Sequence, residues 1–302
     1  MDILMNRRDF WRASAVAAGA IGALGAAPAR RLKIGYTCIT WGSFPRDAAS
    51  SATLDPALKD ISAEGFWGFE TFPEILEDWD SRDQLKPLME RYKVPLISGY
   101  LVINTDPAGA KDSLAKVIRM GKIIKKYGGR YCVMQANGVK RDGYDFQAHR
   151  ADIISGLNDS AMAFADLGLG SGLHQHTGTA VETRDEVYTV MNAVNKHVKF
   201  APDVGQLQKG GSDPVKVVKD FLPILNHMHL KDYKGWNFYS GYCPLGQGEV
   251  NIPAILDMVE AGKQECDIMV ELDPSRNPPQ TPLETVQTSK AYLEKLGYHF
   301  KT

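Results

Sequence analysis

Two histidine pairs and three carboxylates give this chain the means to hold a divalent ion. The pairs are His174-Gln175-His176 and His227-Met228-His229. On a strand, residues two apart project to the same side, so each pair can aim both rings at one place. The carboxylates each close an apolar run: Glu70 after Phe66-Trp67-Gly68-Phe69, Asp203 after Phe200-Ala201-Pro202, and Glu271 after Ile268-Met269-Val270. Mixed nitrogen and oxygen donors suit manganese, cobalt, iron(II) or zinc, with magnesium also admitted, whereas calcium prefers oxygen alone. An ion bound to a carbonyl and its neighbouring hydroxyl stabilises the enediolate left when an adjacent proton is removed. A base must then stand within hydrogen-bond reach of that carbon. His174, Lys231 and Glu271 are the candidate proton carriers. For Lys231 the competing role is a surface cation, and for Asp203 it is a helix N-cap. Ser212 or Asp213, just before Pro214, suits that cap better.

The elements that must position these groups are short β-rich runs, each followed by a helical stretch. The runs are Leu32–Thr37, Phe66–Glu70, Val94–Gly99, Tyr131–Met134, Gly172–His174, Val198–Ala201, His227–Leu230 and Ile268–Val270. Strands alternating with helices imply a parallel sheet with crossover helices. Eight such units predict one α/β domain, a (β/α)8 TIM barrel, whose active residues sit at the C-terminal ends of the strands. A doubly wound dinucleotide fold would need GxGxxG after the first strand. Gly35-Tyr36-Thr37-Cys38-Ile39-Thr40-Trp41-Gly42 stands there instead. Glu70, Gln135, Gln206, Trp41 and Trp236 are expected to bind substrate at the mouth. Trp41, Trp236 and Tyr239 are suited to stacking on a sugar face, and residues 234–248 form a candidate lid.

Residues 1–29 read as an export signal. A charged start carrying Arg7-Arg8 precedes an Ala/Gly-rich run and Ala27-Pro28-Ala29, the pattern of a twin-arginine leader cleaved after Ala29. The catalytic domain is then 30–302, destined for the periplasm and without stable membrane insertion. A net charge of -1 leaves no basic excess for a phosphate backbone, so nucleic acid is excluded as a partner. Cys38, Cys132, Cys243 and Cys266 form no CxxC pair and read as buried thiols.

Together these motifs resemble the xylose isomerase-like TIM barrel superfamily of sugar isomerases and epimerases. The likeness rests on Gly65-Phe66-Trp67-Gly68-Phe69-Glu70, Asp203-Val204-Gly205-Gln206, His227-Met228-His229-Leu230-Lys231-Asp232 and Val270-Glu271-Leu272-Asp273. His174 to Thr179 looks most like the inosose dehydratase branch. The resemblance implies one divalent ion, manganese first, held by His176, Asp203, His229 and Glu271. His176 stands where the ketose epimerases carry a glutamate, and Gln206 replaces a substrate-binding histidine. Losing that glutamate disfavours symmetric two-carboxylate epimerisation. The implied function is therefore a dehydratase or lyase on a keto-sugar, inosose or 3-keto-glycoside; no Gly-rich phosphate loop follows the seventh and eighth runs, so a substrate without phosphate is expected. The alternatives are a sugar isomerase or epimerase and a non-catalytic periplasmic sugar-binding protein. The resemblance also implies a homo-oligomer, since barrels of this kind often pair.

Overall fold

The computed structural model describes residues 30–262 and 264–301; the export-signal segment lies outside them. Eight parallel strands form the barrel: β1 Ile34–Thr37, β2 Phe69–Thr71, β3 Leu96–Ile103, β4 Tyr131–Ala136, β5 Gly170–Leu173, β6 Val198–Phe200, β7 His227–Leu230 and β8 Asp267–Val270. Their lateral order is β6-β5-β4-β3-β2-β1-β8-β7. The remaining seam, between β6 and β7, is joined by the bridges Phe200–Leu225 and Asp203–His229 and by the His229 N–H donating to Pro202 O at 2.9 Å. Helices wrap the outside, which makes this the expected single (β/α)8 barrel.

Local chemistry sets the helix starts. Thr183 with Glu186 and Thr281 with Glu284 form capping boxes, satisfying N–H groups that the first turn leaves free. Asp213 caps the helix that opens on Pro214, as the sequence predicts. Asp203 is also an N-cap: its Oδ1 accepts from the Gln206 N–H at 2.8 Å at the head of Val204–Lys209. The two roles weighed for Asp203 are therefore compatible, because capping engages one oxygen only.

Inward and outward faces separate cleanly on β4. Cys132 and Met134 join the large core beneath the helices, while Tyr131 and Val133 form a smaller cluster with Ala201. The Tyr131 ring stacks on His227, 4.9 Å between centroids and 9° between planes. Strands β4 and β7 are not neighbours, so this contact crosses the barrel interior. All four cysteines are buried, and none forms a disulfide among the described residues. Among the described residues no helix is long and apolar enough to cross a membrane.

Candidate active site

The alternation argument holds on β7 and fails on β5. On β7, His227, His229 and Lys231 all project inward and none is exposed. Glu70, from the end of β2, meets both histidines: Oε2 lies 3.0 Å from His227 Nε2 and Oε1 2.6 Å from His229 Nε2. The Ser98 hydroxyl donates to Glu70 Oε2 at 2.5 Å. On β5 the strand ends at Leu173, before either histidine. His174 continues inward and is fully buried, with neither ring nitrogen hydrogen-bonded among the described residues. His176 turns aside, its Nδ1 2.7 Å from Thr177 O and its Nε2 2.7 Å from Gln206 Nε2. Gln206 Oε1 accepts from the Thr177 N–H and hydroxyl, so its amide nitrogen faces His176. That arrangement protonates His176 at Nδ1 and leaves Nε2 as an acceptor.

The residues expected to hold a metal are thus brought together in part. His174, Asp203 and His229 offer ligand atoms within 4.8 Å of one another, and so do Glu70, His227 and His229. His174 joins the first group; the expected His176 does not, because the chain leaves strand geometry between them. Glu271 stands beside that group, its Oε2 2.8 Å from His229 Nδ1. Lys231 is a buried cation rather than a surface one. Its Nζ lies 2.5 Å from Glu271 Oε1 and 3.2 Å from both Asp203 Oδ2 and Asp273 Oδ1. Gly205 makes room for it, since a Cβ there would come within 2.9 Å of Lys231 Cγ.

Charge balance follows from this packing. Burial alone disfavours the Lys231 ammonium, but Asp203, Asp273 and Glu271 outweigh it and hold the group protonated. Burial pushes Glu271 up, yet Lys231 and His229 pull it further down, so it stays ionised. The same contest, decided by His229 and His227, holds Glu70 well below the usual carboxylate range. Burial raises Asp203, with Lys231 opposing. Burial, reinforced by His229, pushes His174 well down and keeps it neutral.

The donor set fits a divalent cation. Neutral His174, Asp203 Oδ2 and both nitrogens of His229 are buried without an aligned hydrogen bond among the described residues, a costly condition unless a ligand engages them. Glu70 and Glu271 approach the His229 nitrogens at 2.6 and 2.8 Å and outweigh burial to favour a protonated ring, so a cation bound by His229 must displace a proton. Two imidazoles with carboxylates match manganese, iron, cobalt or zinc.

A cavity of about 650 Å³ opens above this cluster, bordered by Glu70, Glu271, Asp273, Gln135, His176 and Thr179 among others. Gln135 borders it as expected and accepts the Tyr100 hydroxyl. Glu70 reaches its floor, but its oxygens are committed to His227, His229 and Ser98. Gln206 braces His176 from behind. The expected tryptophans do not border the cavity. Trp41 donates its indole N–H to Asp60 Oδ2 at 2.9 Å, and Trp236 packs with Tyr233, Tyr239, Tyr242 and Leu272. The 234–248 segment is pinned by Asp232, which accepts from Gly246, Gly248 and Val250. A Cβ at Gly248 would fall 2.2 Å from Asp232 Oδ1, so its glycine is structural.

Several lining residues carried no signal in the sequence reading. Thr37 and Thr71, at the ends of β1 and β2, line the cavity with buried hydroxyls that find no hydrogen-bond partner among the described residues. Phe44, Phe72 and Tyr100 supply the aromatic surface assigned in advance to the tryptophans. Strand-end position could have flagged Thr37 and Thr71; Tyr100 lies inside β3, and Phe44 sits in a loop whose path only the fold determines.

A family model described as xylose isomerase-like TIM barrel matches residues 58–296. The inosose dehydratase of Yersinia enterocolitica is 32% identical over 218 residues, covering 68% of this chain and 72% of that protein. Among solved structures, D-allulose 3-epimerase from Methylomonas sp. superposes with a TM-score of 0.71 at 17% identity, over 88% of this chain and 98% of its own. The IolI protein, solved with a bound zinc atom, gives 0.66 at 17% identity, over 90% of this chain and 100% of its own.

Proposed function

Because this chain belongs to the xylose isomerase-like TIM barrel family, we propose that it is a divalent-metal-dependent dehydratase or lyase acting on a keto-sugar, an inosose or a 3-keto-glycoside. One observation carries this reading. His174, Asp203 and His229 bring ligand atoms within 4.8 Å of one another, beside an ionised Glu271 that borders a cavity large enough for a sugar. The zinc in the IolI structure and the dehydratase relative point the same way.

His174, Asp203 and His229 would hold the ion, with Glu271 adjacent. When bound, a divalent cation supplies Lewis acidity toward a carbonyl and its neighbouring hydroxyl. Glu271 is the base: it borders the cavity, and Lys231 keeps its carboxylate ionised. It removes the proton from the carbon beside the carbonyl. The C–H electron pair forms the new carbon–carbon double bond as the β C–O bond breaks, and the oxygen leaves with that bond's pair. Glu271 returns the proton to that oxygen, which requires both broken bonds on one ring face. Water or an alcohol is released with an unsaturated ketone, and no oxidant is consumed. Lys231 lies beneath the floor, so it positions Glu271 rather than meeting substrate. Thr37, Thr71 and Gln135 are placed to bind hydroxyls.

Residues 1–29 are proposed, on their sequence alone, to direct export to the periplasm. Conversion of Arg7 and Arg8 to lysine should leave the precursor unprocessed in the cytoplasm; unchanged export would refute the twin-arginine route.

The direct test is proton NMR in deuterium oxide. Manganese-loaded protein is incubated with inososes, 3-keto-glycosides and free ketoses, with Asp203→Ala as control. Loss of a β-oxygen, absent in the control, is the expected outcome. Deuterium entering beside the carbonyl with only a stereoisomer formed would move the protein to the epimerases. Saturable binding without exchange on any compound would make it a sugar-binding protein.

A further inference from the structure

The two walls of the cavity differ in chemistry. Its apolar side chains are gathered on one side: the side formed by β4, β5, β8 and the loops that follow them carries Gln135, His176, Thr177, Thr179, Glu271 and Asp273, while Thr37 and Thr71 add hydroxyls at the ends of β1 and β2. The side formed after β1, β2 and β3 carries Ile39, Phe44, Phe72 and Val102. Val102 is 40% exposed, one of four large apolar side chains left open to solvent among the described residues. The aromatic rings on this side form a continuous path. The Arg46 guanidinium sits 4.7 Å over Phe44 at the rim. Phe44 packs on Phe72 with centroids 4.6 Å apart, and Phe72 meets Tyr100 edge-on at 5.2 Å. Tyr100 in turn lies edge-on to His174 at 5.1 Å. An apolar surface thus leads from solvent to the group of candidate metal ligands.

We infer that this wall is an aglycone subsite, and that the substrate is a keto-glycoside whose leaving group is aromatic. The inference rests on the lyase reading above and narrows its substrate class. A sugar ring needs hydroxyl partners, and Ile39, Phe44, Phe72 and Val102 offer none. A planar apolar group gains there from area removed from water and from ring-to-ring contact. The cavity, about 650 Å³, falls within the roughly 300–1,000 Å³ typical of sites for ligands larger than one ring. The sugar occupies the polar side above Glu271, and the glycosidic oxygen points toward Phe72. Elimination then breaks the C–H bond beside the carbonyl and the bond from the anomeric carbon to oxygen. A double bond forms between those carbons, and the returned proton releases a free phenol.

The test compares phenyl and methyl 3-keto-glycosides, in both anomers, as substrates of the manganese-loaded protein. Binding of the unoxidised phenyl and methyl glycosides is measured in parallel by calorimetry. The phenyl compound should show the higher kcat/KM, on the order of tenfold, the scale of one aromatic contact. Phe44→Ala and Val102→Ser should each erase most of that preference, and Val102→Ser should leave the methyl compound within about twofold. Val102→Ser replaces an exposed side chain and keeps the test valid if Phe44→Ala loses stability. Elimination at equal rates from both compounds overturns the subsite and leaves the lyase reading standing. Absence of elimination, with phenyl glycosides still binding more tightly in a Phe44-dependent way, overturns the lyase reading and keeps the subsite. Equal losses for both compounds in both variants make the wall structural and overturn the subsite.

Discussion

Asp203 carries two duties on two oxygens, and they can be separated. Oδ1 caps the helix Val204–Lys209, and Oδ2 faces Lys231 and the candidate metal group. Asparagine caps as well as aspartate but brings no charge. Asp203→Asn should therefore lose bound metal while keeping the helix cap, with Lys231 still paired to Glu271 and Asp273, read by melting and by metal analysis. A large stability loss would show that the charge is needed for folding. Glu70 meets His227, His229 and Ser98, and its contact with His229 Nε2 orients the ring that presents Nδ1 toward Glu271. Such outer partners typically set metal affinity by about 10–100-fold. Glu70→Gln should weaken manganese binding by that factor in competition with a chelator; unchanged affinity would return Glu70 to a purely structural role.

At the scale of elements, the loop after β5 is held by a charge cluster away from the chemistry. Arg141, from the loop after β4, donates to Thr179 O and to Glu186 Oε1, and Glu186 Oε2 accepts the N–H groups of Glu182 and Thr183. Burial raises the Glu186 carboxyl, but Arg141 and the two backbone donors outweigh it, and the group is lowered overall. Its stabilising contribution is then complete above the ordinary glutamate pKa of about 4.3 and fades as pH falls through the depressed folded value. Arg141→Ala should cost about 1 kcal/mol at neutral pH, with the gap from the parent narrowing steadily below pH ~4. Denaturant unfolding across that range checks it; a gap independent of pH would mean that Arg141 acts through packing. The loop after β7 is fixed differently, by backbone N–H groups gathered on Asp232. That explains why a stretch rich in glycine and aromatics is anchored and contributes Ser240 alone to the cavity border.

For the whole molecule, the barrel concentrates charge at its mouth: Glu70, His229, Glu271, Lys231, Asp203 and Asp273 form one contact chain. A cation bound there stabilises the folded state alone, by about 2.7 kcal/mol at a hundredfold excess over Kd. Manganese should therefore raise Tm by roughly 5–10 °C, reversed by chelator, and Asp203→Ala should show no shift. A Tm indifferent to every divalent metal would remove the metal from the proposed function.

The sequence by itself determined the barrel, because eight apolar runs alternating with helical periodicity admit few other parallel arrangements. It also marked the strand ends where chemistry collects. Asp203, His229, Lys231 and Glu271 could be read there because each ends or continues a strand whose inward side is set by its apolar pattern. Only the tertiary structure placed His174, and not His176, beside Asp203 and His229: β5 ends one residue before the pair, and beyond a strand end period-two alternation no longer fixes direction. The role of Glu70 likewise became visible only across the barrel, since no local rule pairs β2 with β7. The aromatic wall belongs to the same class. Trp41 and Trp236 stood out by size, yet Asp60 and a tyrosine cluster claim them, while Phe44 and Phe72 reach the mouth because loops from separate strands meet there, a property of closure that no single segment encodes.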